Sequence, residues 1–206
     1  MNEQTLYHAE DGQCRLEICL DPEPMNPREW DSIGTMLYAH RDYILGDKEI
    51  DVKEYRSWED VLDCEILMPN NDKVVYLPLY LYDHSGITMN TTGFSCGWDS
   101  GQVGWIYATE ADAIETFGES LQTEVCRKQM LKVLEQEVKS FDQYITGEFY
   151  GFSYEKICKC SCCGHVTNEM IDSCWGFEEI KFIEDALPDE ALPLFEIIKE
   201  EAGING

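Results

Sequence analysis

Three groups of side chains in this 206-residue sequence have the types and spacing that chemistry requires. The first is Cys158-Lys-Cys160-Ser-Cys162-Cys163-Gly164-His165, followed by Cys174. Cys160-x-x-Cys163-Gly164 has the form of a zinc knuckle, in which a tight turn brings two thiolates to one metal and Gly permits the left-handed turn. A closed zinc site needs four ligands, and no second knuckle follows about 15–20 residues on, as a zinc ribbon would require. Closure therefore falls to Cys174 together with His165, Cys158 or Cys162, and the expected ligand set is Cys160, Cys163, His165 and Cys174. One structural zinc would staple the segment. The plain alternative is a hairpin turn carrying reduced thiols and no cofactor.

The second group is Asp83-His84-Ser85-Gly86 with Phe94-Ser95-Cys96-Gly97-Trp98-Asp99-Ser100-Gly101. A Cys, a His and an Asp in one polar, Gly-bearing region could act as nucleophile, base and orienting group. No known nucleophile spacing occurs here, and G-x-S-x-G is absent. A rigid loop with aromatic anchors explains the same residues. No phosphate-binding loop, H-E-x-x-H or dinucleotide fingerprint is present.

The third group is acidic. Nine carboxylates (Glu178, Glu179, Glu184, Asp185, Asp189, Glu190, Glu196, Glu200 and Glu201) are opposed only by Lys181 and Lys199. Glu196 and Glu200, four apart on a helix, would stand about 6 Å apart, close to the phosphate spacing of a nucleic-acid strand. A row of such groups could enter a basic groove built for DNA or RNA. Asp42, Asp47, Glu49 and Asp51, in an acid-rich run that reaches Glu65, form a second expected patch. Trp98 and Asp99 complete the expected partner-binding residues. A solvated surface is the bland alternative, because most acidic residues belong there. A calcium loop of the D-x-D-x-D-G kind is missing.

The composition supports the emphasis on acid. Asp and Glu number 41 against 15 Lys and Arg, giving a net charge of −26. That excludes a simple nucleic-acid binder and argues against docking on an anionic membrane. A 44% hydrophobic and 12% aromatic content argues against disorder. The polar start of the chain lacks the regions of a signal peptide, and no apolar run approaches the roughly 20 residues of a spanning helix. The expectation is a soluble cytoplasmic protein whose ten cysteines are reduced or metal-bound.

These groups must be positioned by recognisable elements. Alternation over Cys14–Leu20 predicts a strand, with Leu16, Ile18 and Leu20 on one face. Asn26-Pro27 reads as a helix start. Ser57-Trp58-Glu59-Asp60 resembles a capping box. Val74–Tyr82 reads as a strand whose Pro78 favours an edge, and Trp105–Ala108 as another. Thr109 with Asp112 caps a short helix that Gly118 ends. Leu131, Leu134, Val138, Phe141 and Ile145 form the apolar stripe of a long helix from about 121 to 145. Glu148–Ile157 and Met170–Phe177 read as paired strands joined at the cysteines, and Pro193–Ala202 as a closing helix before Gly203. The expected fold class is α+β, a mainly antiparallel sheet with one long amphipathic helix and a short C-terminal helix. Expected domains are 1–146, the main α+β domain, and 147–206, a cysteine-bearing hairpin and acidic C-terminal helix that together pack on the main domain.

Three strings are specific: Tyr76-Leu-Pro-Leu-Tyr-Leu-Tyr-Asp-His-Ser-Gly-Ile-Thr-Met89, Phe94-Ser-Cys-Gly-Trp-Asp-Ser-Gly-Gln-Val-Gly104 and Asp172-Ser-Cys-Trp-Gly-Phe177. Together they resemble a family of small acidic proteins carried by bacteriophages and conjugative elements. The resemblance covers about a quarter of the chain directly and implies a mobile-element context rather than a set of functional residues. Small acidic proteins in that context are often antirestriction or anti-CRISPR inhibitors. The cysteine cluster departs from the family pattern, whose matching hairpin has a polar turn.

The leading expectation is an acidic inhibitor, not an enzyme. It would bind a basic nucleic-acid-handling defence protein, a CRISPR effector nuclease or a restriction enzyme, as a DNA mimic or by holding it inactive. Neither nucleic acid nor membrane is an expected direct partner, and a homodimer is compatible with the sequence. The alternatives are a Cys/His-dependent enzyme using Cys96 and His84, and a small zinc-stapled structural or adaptor protein.

Overall fold

The computed structural model describes residues 5–30 and 32–204. In chain order the strands are β1 (Thr5–Glu10), β2 (Cys14–Leu20), β3 (Thr35–Tyr38), β4 (Lys48–Glu49), β5 (Val74–Asp83), β6 (Ile87–Asn90), β7 (Ser100–Thr109), β8 (Tyr150–Lys159) and β9 (Val166–Phe177). The helices are α1 (Trp58–Val61, continued by a π turn to Leu67), α2 (Glu110–Phe117), α3 (Glu124–Thr146) and α4 (Leu192–Ala202). The fold is α+β with antiparallel-rich sheets, a long helix and a C-terminal helix. No helix among the described residues is long and apolar enough to cross a membrane.

The chain divides into two compact units, Met1–Met25 with Gly147–Gly206, and Asn26–Thr146. The break expected near Thr146-Gly147 is present, but residues 1–25 do not join a 1–146 domain. They belong with the C-terminal segment because β2 pairs along its length with β8, from Cys14 opposite Lys156 to Leu20 opposite Tyr150. Leu16 and Ile18 stand opposite Tyr154 and Phe152, and all four are buried.

The first unit is a sheet of order β1-β2-β8-β9, antiparallel throughout. Leu16, Ile18, Phe152, Ile183, Leu194, Phe195 and Ile198 form its core, so α4 and the 3-10 segment Ile180–Ala186 cover one face of the sheet. The left-handed Gly203 ends α4, as expected from sequence.

The second unit is a sheet of order β4-β3-β7-β5-β6, antiparallel except for the short β3–β4 pair. Alternation sends Met36 and Ile106 to one face, where Met130, Leu134, Val138 and Phe141 of α3 cover them. Leu37 and Trp105 turn to the other face, against Val61, Leu62 and Ile66. Two readings change here. Asn26-Pro27 opens only a single 3-10 turn, Pro27–Glu29, because Leu37 belongs to β3. β5 is an interior strand, yet β6 reaches it only from Tyr80 to Asp83, so at Pro78 one side of the strand has no ladder partner, as at an edge.

The expected capping box is formed at α2: Thr109 N donates to Asp112 Oδ2 at 2.6 Å and Asp112 N to Thr109 Oγ1 at 3.4 Å. Glu110 then accepts from Ser120 Oγ at 2.6 Å and from Leu121 N at 2.9 Å, which ties α2 to the approach of α3. The Ser120 hydroxyl first, and then the Leu121 amide, hold the Glu110 carboxyl below its ordinary 4.5. A carboxyl lowered in the folded state stabilises fully above its unfolded value and loses that contribution as pH falls through the lowered one. Glu110→Gln therefore lowers the melting temperature at neutral pH, and the gap to wild type closes as pH falls below 4.5. Melting curves across that range check it, and a gap independent of pH would count against the linkage.

Candidate functional site

The hairpin of β8 and β9 carries the cysteines. β2 accompanies β8 as far as Lys156, where Ile157 N donates to Gln13 O at 2.7 Å. Beyond it the two strands pair only with each other, through Ile157–Asn168, Cys158–Thr167 and Lys159–Val166. The tip closes as Cys160 N donates to His165 O at 2.8 Å and Gly164 N to Cys160 O at 2.9 Å. Gly164 has φ of +73°, the left-handed turn foreseen for the knuckle glycine.

The sulfurs of Cys160, Cys162 and Cys163 lie within 4.8 Å of one another, those of Cys160 and Cys162 3.0 Å apart. This trio could hold a metal ion, and it is the only such group of three among the described residues. Hydrogen bonds from the Cys162 thiol, and then from the backbone N–H groups of Cys162 and Cys163, push the Cys160 thiol down to about 6. Donating to Cys160 pushes the Cys162 thiol up. The structure thus brings Cys160 and Cys163 together and adds Cys162. Cys174 is not with them: it pairs with Phe152, eight residues along β9 from Val166, about 26 Å from the tip at about 3.3 Å per residue. His165 offers its carbonyl to Cys160, and its ring is outside the group. The i, i+2, i+3 placement of the thiols is visible in the sequence. The long ladder that carries Cys174 away is not.

The loop between β6 and β7 brings the second group together. Asp83 N donates to Asp99 O at 2.8 Å, tying the end of β5 to this loop. His84 Nδ1 lies 3.4 Å and Cys96 Sγ 3.8 Å from Asp99 Oδ2. Thiol and imidazole thus share one carboxylate oxygen, whereas base-activated attack needs a hydrogen bond from the nucleophile to the base itself, about 2.6–3.2 Å long. Tyr80, Thr92, Phe94, Ser95 and Ser100 help line an open cavity of about 510 Å³ beside it. Trp98 is 97% exposed on the same loop.

The acidic residues divide between the two units. The unit holding both chain ends has 19 acids and 5 bases in 85 residues, and the other 22 and 10 in 121. Around α4 the two lysines are already engaged, Lys181 with Glu179 at 2.6 Å and Lys199 with Glu184 at 2.9 Å and Glu196 at 2.7 Å. Asp185, Asp189, Glu190, Glu200 and Glu201 are exposed and have no basic partner among the described residues.

The expected patch at 42–51 is of a different kind. Asp42 pairs with Arg41 at 2.6 Å, Asp51 caps a 3-10 turn through Lys53 N, and both are exposed, as is Glu49. Asp47 is spent internally, on Arg28 and on Met36 N at 2.7 Å. The neighbouring cleft, about 1010 Å³, is lined by Arg41, Lys53 and Arg56 as well as Glu49, Asp51 and Asp83, so its charge is mixed.

Comparison with known proteins gives no matching family model, no similar curated protein and no similar solved structure.

Proposed function

We propose that this chain is an acidic binding protein that inhibits a nucleic-acid-handling defence enzyme, a CRISPR effector nuclease or a restriction enzyme, by occupying its basic surface. One observation carries the reading: the exposed carboxylates Asp185, Asp189, Glu190, Glu200 and Glu201, beside lysines already held by Glu179, Glu184 and Glu196. A field of one sign steers an oppositely charged partner and accelerates encounter. On the other unit, the 97% exposed Trp98 is by itself of the residue type that anchors interfaces. The Cys96–His84 enzyme has less support, because the Cys96 thiol is hydrogen-bonded to the Asp99 carboxylate rather than to the imidazole.

The test is capture of purified CRISPR effector nucleases and restriction enzymes on the tagged full chain. Counterion release predicts tight capture at about 50 mM salt and release by about 500 mM or by competing duplex DNA. Neutralising Asp185, Asp189, Glu190, Glu200 and Glu201 to Asn or Gln weakens capture at least about tenfold, while Glu49→Gln leaves it unchanged. Capture indifferent to salt and to the five substitutions overturns the reading.

A further inference from the structure

We infer that Cys160, Cys162 and Cys163 form a three-thiolate zinc site at the tip of the β8–β9 hairpin, with the fourth coordination position left to a ligand from outside this chain. Zinc–sulfur bonds of about 2.3 Å in a tetrahedral site place sulfurs about 3.8 Å apart. The three thiols already lie within 4.8 Å of one another, with the Cys160–Cys162 pair at 3.0 Å, so metal entry needs sub-ångström to ångström adjustments at an exposed turn. The backbone around them is a closed turn: the Cys160 N–H is engaged by His165 O, and the left-handed Gly164 donates back to Cys160 O.

The donor set decides the class of metal. Thiolates select soft ions such as zinc, whereas calcium and magnesium take oxygen ligands. The chain's net charge of −26 further favours cation capture. Its own remaining candidates for a fourth ligand lie elsewhere. Cys158 turns to Glu169 Oε2 at 3.9 Å, and Cys174 is held opposite Phe152. The ring of His165 is outside the group. A three-ligand site with one open position is the arrangement that accepts water, a thiol or a partner's side chain.

The placement also says what the metal would do. Past Lys156 the arm is only two strands wide, and an isolated two-stranded ribbon is marginal in water. A tip-bound ion ties the arm at its free end and leaves the buried core of the sheet as it was.

The reduced, metal-stripped full chain is titrated with cobalt(II) and then zinc. The expected result is one cobalt per chain, with sulfur-to-cobalt charge transfer and the intense visible bands of tetrahedral coordination, all displaced by zinc. Cys160→Ser, Cys162→Ser and Cys163→Ser each weaken binding at least about tenfold, while Cys158→Ser, Cys174→Ser and His165→Ala keep the spectrum. Zinc slows amide exchange over 157–168 without altering that of β2. No tetrahedral spectrum overturns the site. Loss of the spectrum in the Cys158, Cys174 or His165 variant overturns the open position, because the fourth ligand is then the chain's own. The substituted positions are exposed except for the half-buried Cys158, and an unchanged far-ultraviolet circular dichroism spectrum verifies the fold of each variant.

Discussion

Arg28→Met destabilises the unit of residues 26–146 by about 3–5 kcal/mol, the range for breaking a buried ion network from one side. The Arg28 side chain is 5% exposed, and its guanidinium is shared among three acceptors. Nε and one terminal nitrogen grip the two oxygens of Asp47 at 3.0 and 2.6 Å. That same terminal nitrogen also donates to Gly34 O at 2.5 Å, and the other meets Glu137 of α3 at 2.7 Å. The carboxylates have second duties: Glu137 accepts from Ile33 N at 2.8 Å and Gly34 N at 3.1 Å, and Asp47 from Met36 N. Burial works against the charge on Arg28, but the hydrogen bonds to Asp47 and Glu137 outweigh it and raise the guanidinium above its ordinary value.

Methionine keeps much of the volume and removes every bond. Two neighbouring carboxylates are then left without their cation, and the approach to β3 keeps only the Ile33 and Gly34 amides as its hold on Glu137 of α3. Arg28→Lys recovers only part of the loss, because an ammonium cannot reproduce the planar fork. Urea unfolding followed by tryptophan fluorescence is a suitable readout, since Trp30, Trp58, Trp98 and Trp105 all belong to this unit. A loss under about 1 kcal/mol would mean the network is ornamental, as exposed ion pairs usually are.

Phe195→Ala has a comparable effect on the other unit, about 3–5 kcal/mol, from lost transfer energy plus the cavity left behind. Phe195 is fully buried in the core with Leu16, Ile18, Phe152, Ile183 and Ile198. It is the largest side chain that α4 places against the sheet. Lys199 Nζ also lies 5.4 Å from the ring centroid while it bridges Glu184 and Glu196, so the truncation loosens the acidic surface as well as the core. Hydrogen exchange reads the outcome: amides of β2 and β8 lose protection by a factor of about a hundred or more, since each 1.4 kcal/mol is tenfold. Phe195→Leu, which leaves a smaller cavity, falls between the two. Unchanged protection in Phe195→Ala would show that α4 does not hold this sheet.

What could be read directly from the chain is what short stretches decide for themselves. The Thr109–Asp112 capping box, the apolar stripe of α3 and the Gly203 stop each depend on residues within one or two helical turns. The β8–β9 hairpin was legible as two strand-like stretches, 148–157 and 170–177, joined at the cysteines, and the i, i+2, i+3 thiols of its tip lie within that turn. β1 gave little signal, since it is a mostly exposed edge strand. β3 was hidden by the Asn26-Pro27 cap, which is equally at home on a 3-10 turn.

Local chemistry in this protein determined the helices, their ends, the hairpin and the three thiols at its tip. Tertiary structure decided that β2 seeks β8 across more than a hundred residues, and so divided the chain after Met25 as well as after Thr146. It decided that Asp47 joins Glu137 in holding Arg28 instead of meeting a partner, and that Cys174 stands far from the cysteines of the hairpin tip. The reason is physical. A cap or a stripe is settled by neighbours a turn away, whereas a ladder partner or a buried counter-charge is chosen by which distant apolar faces and charges must leave water together.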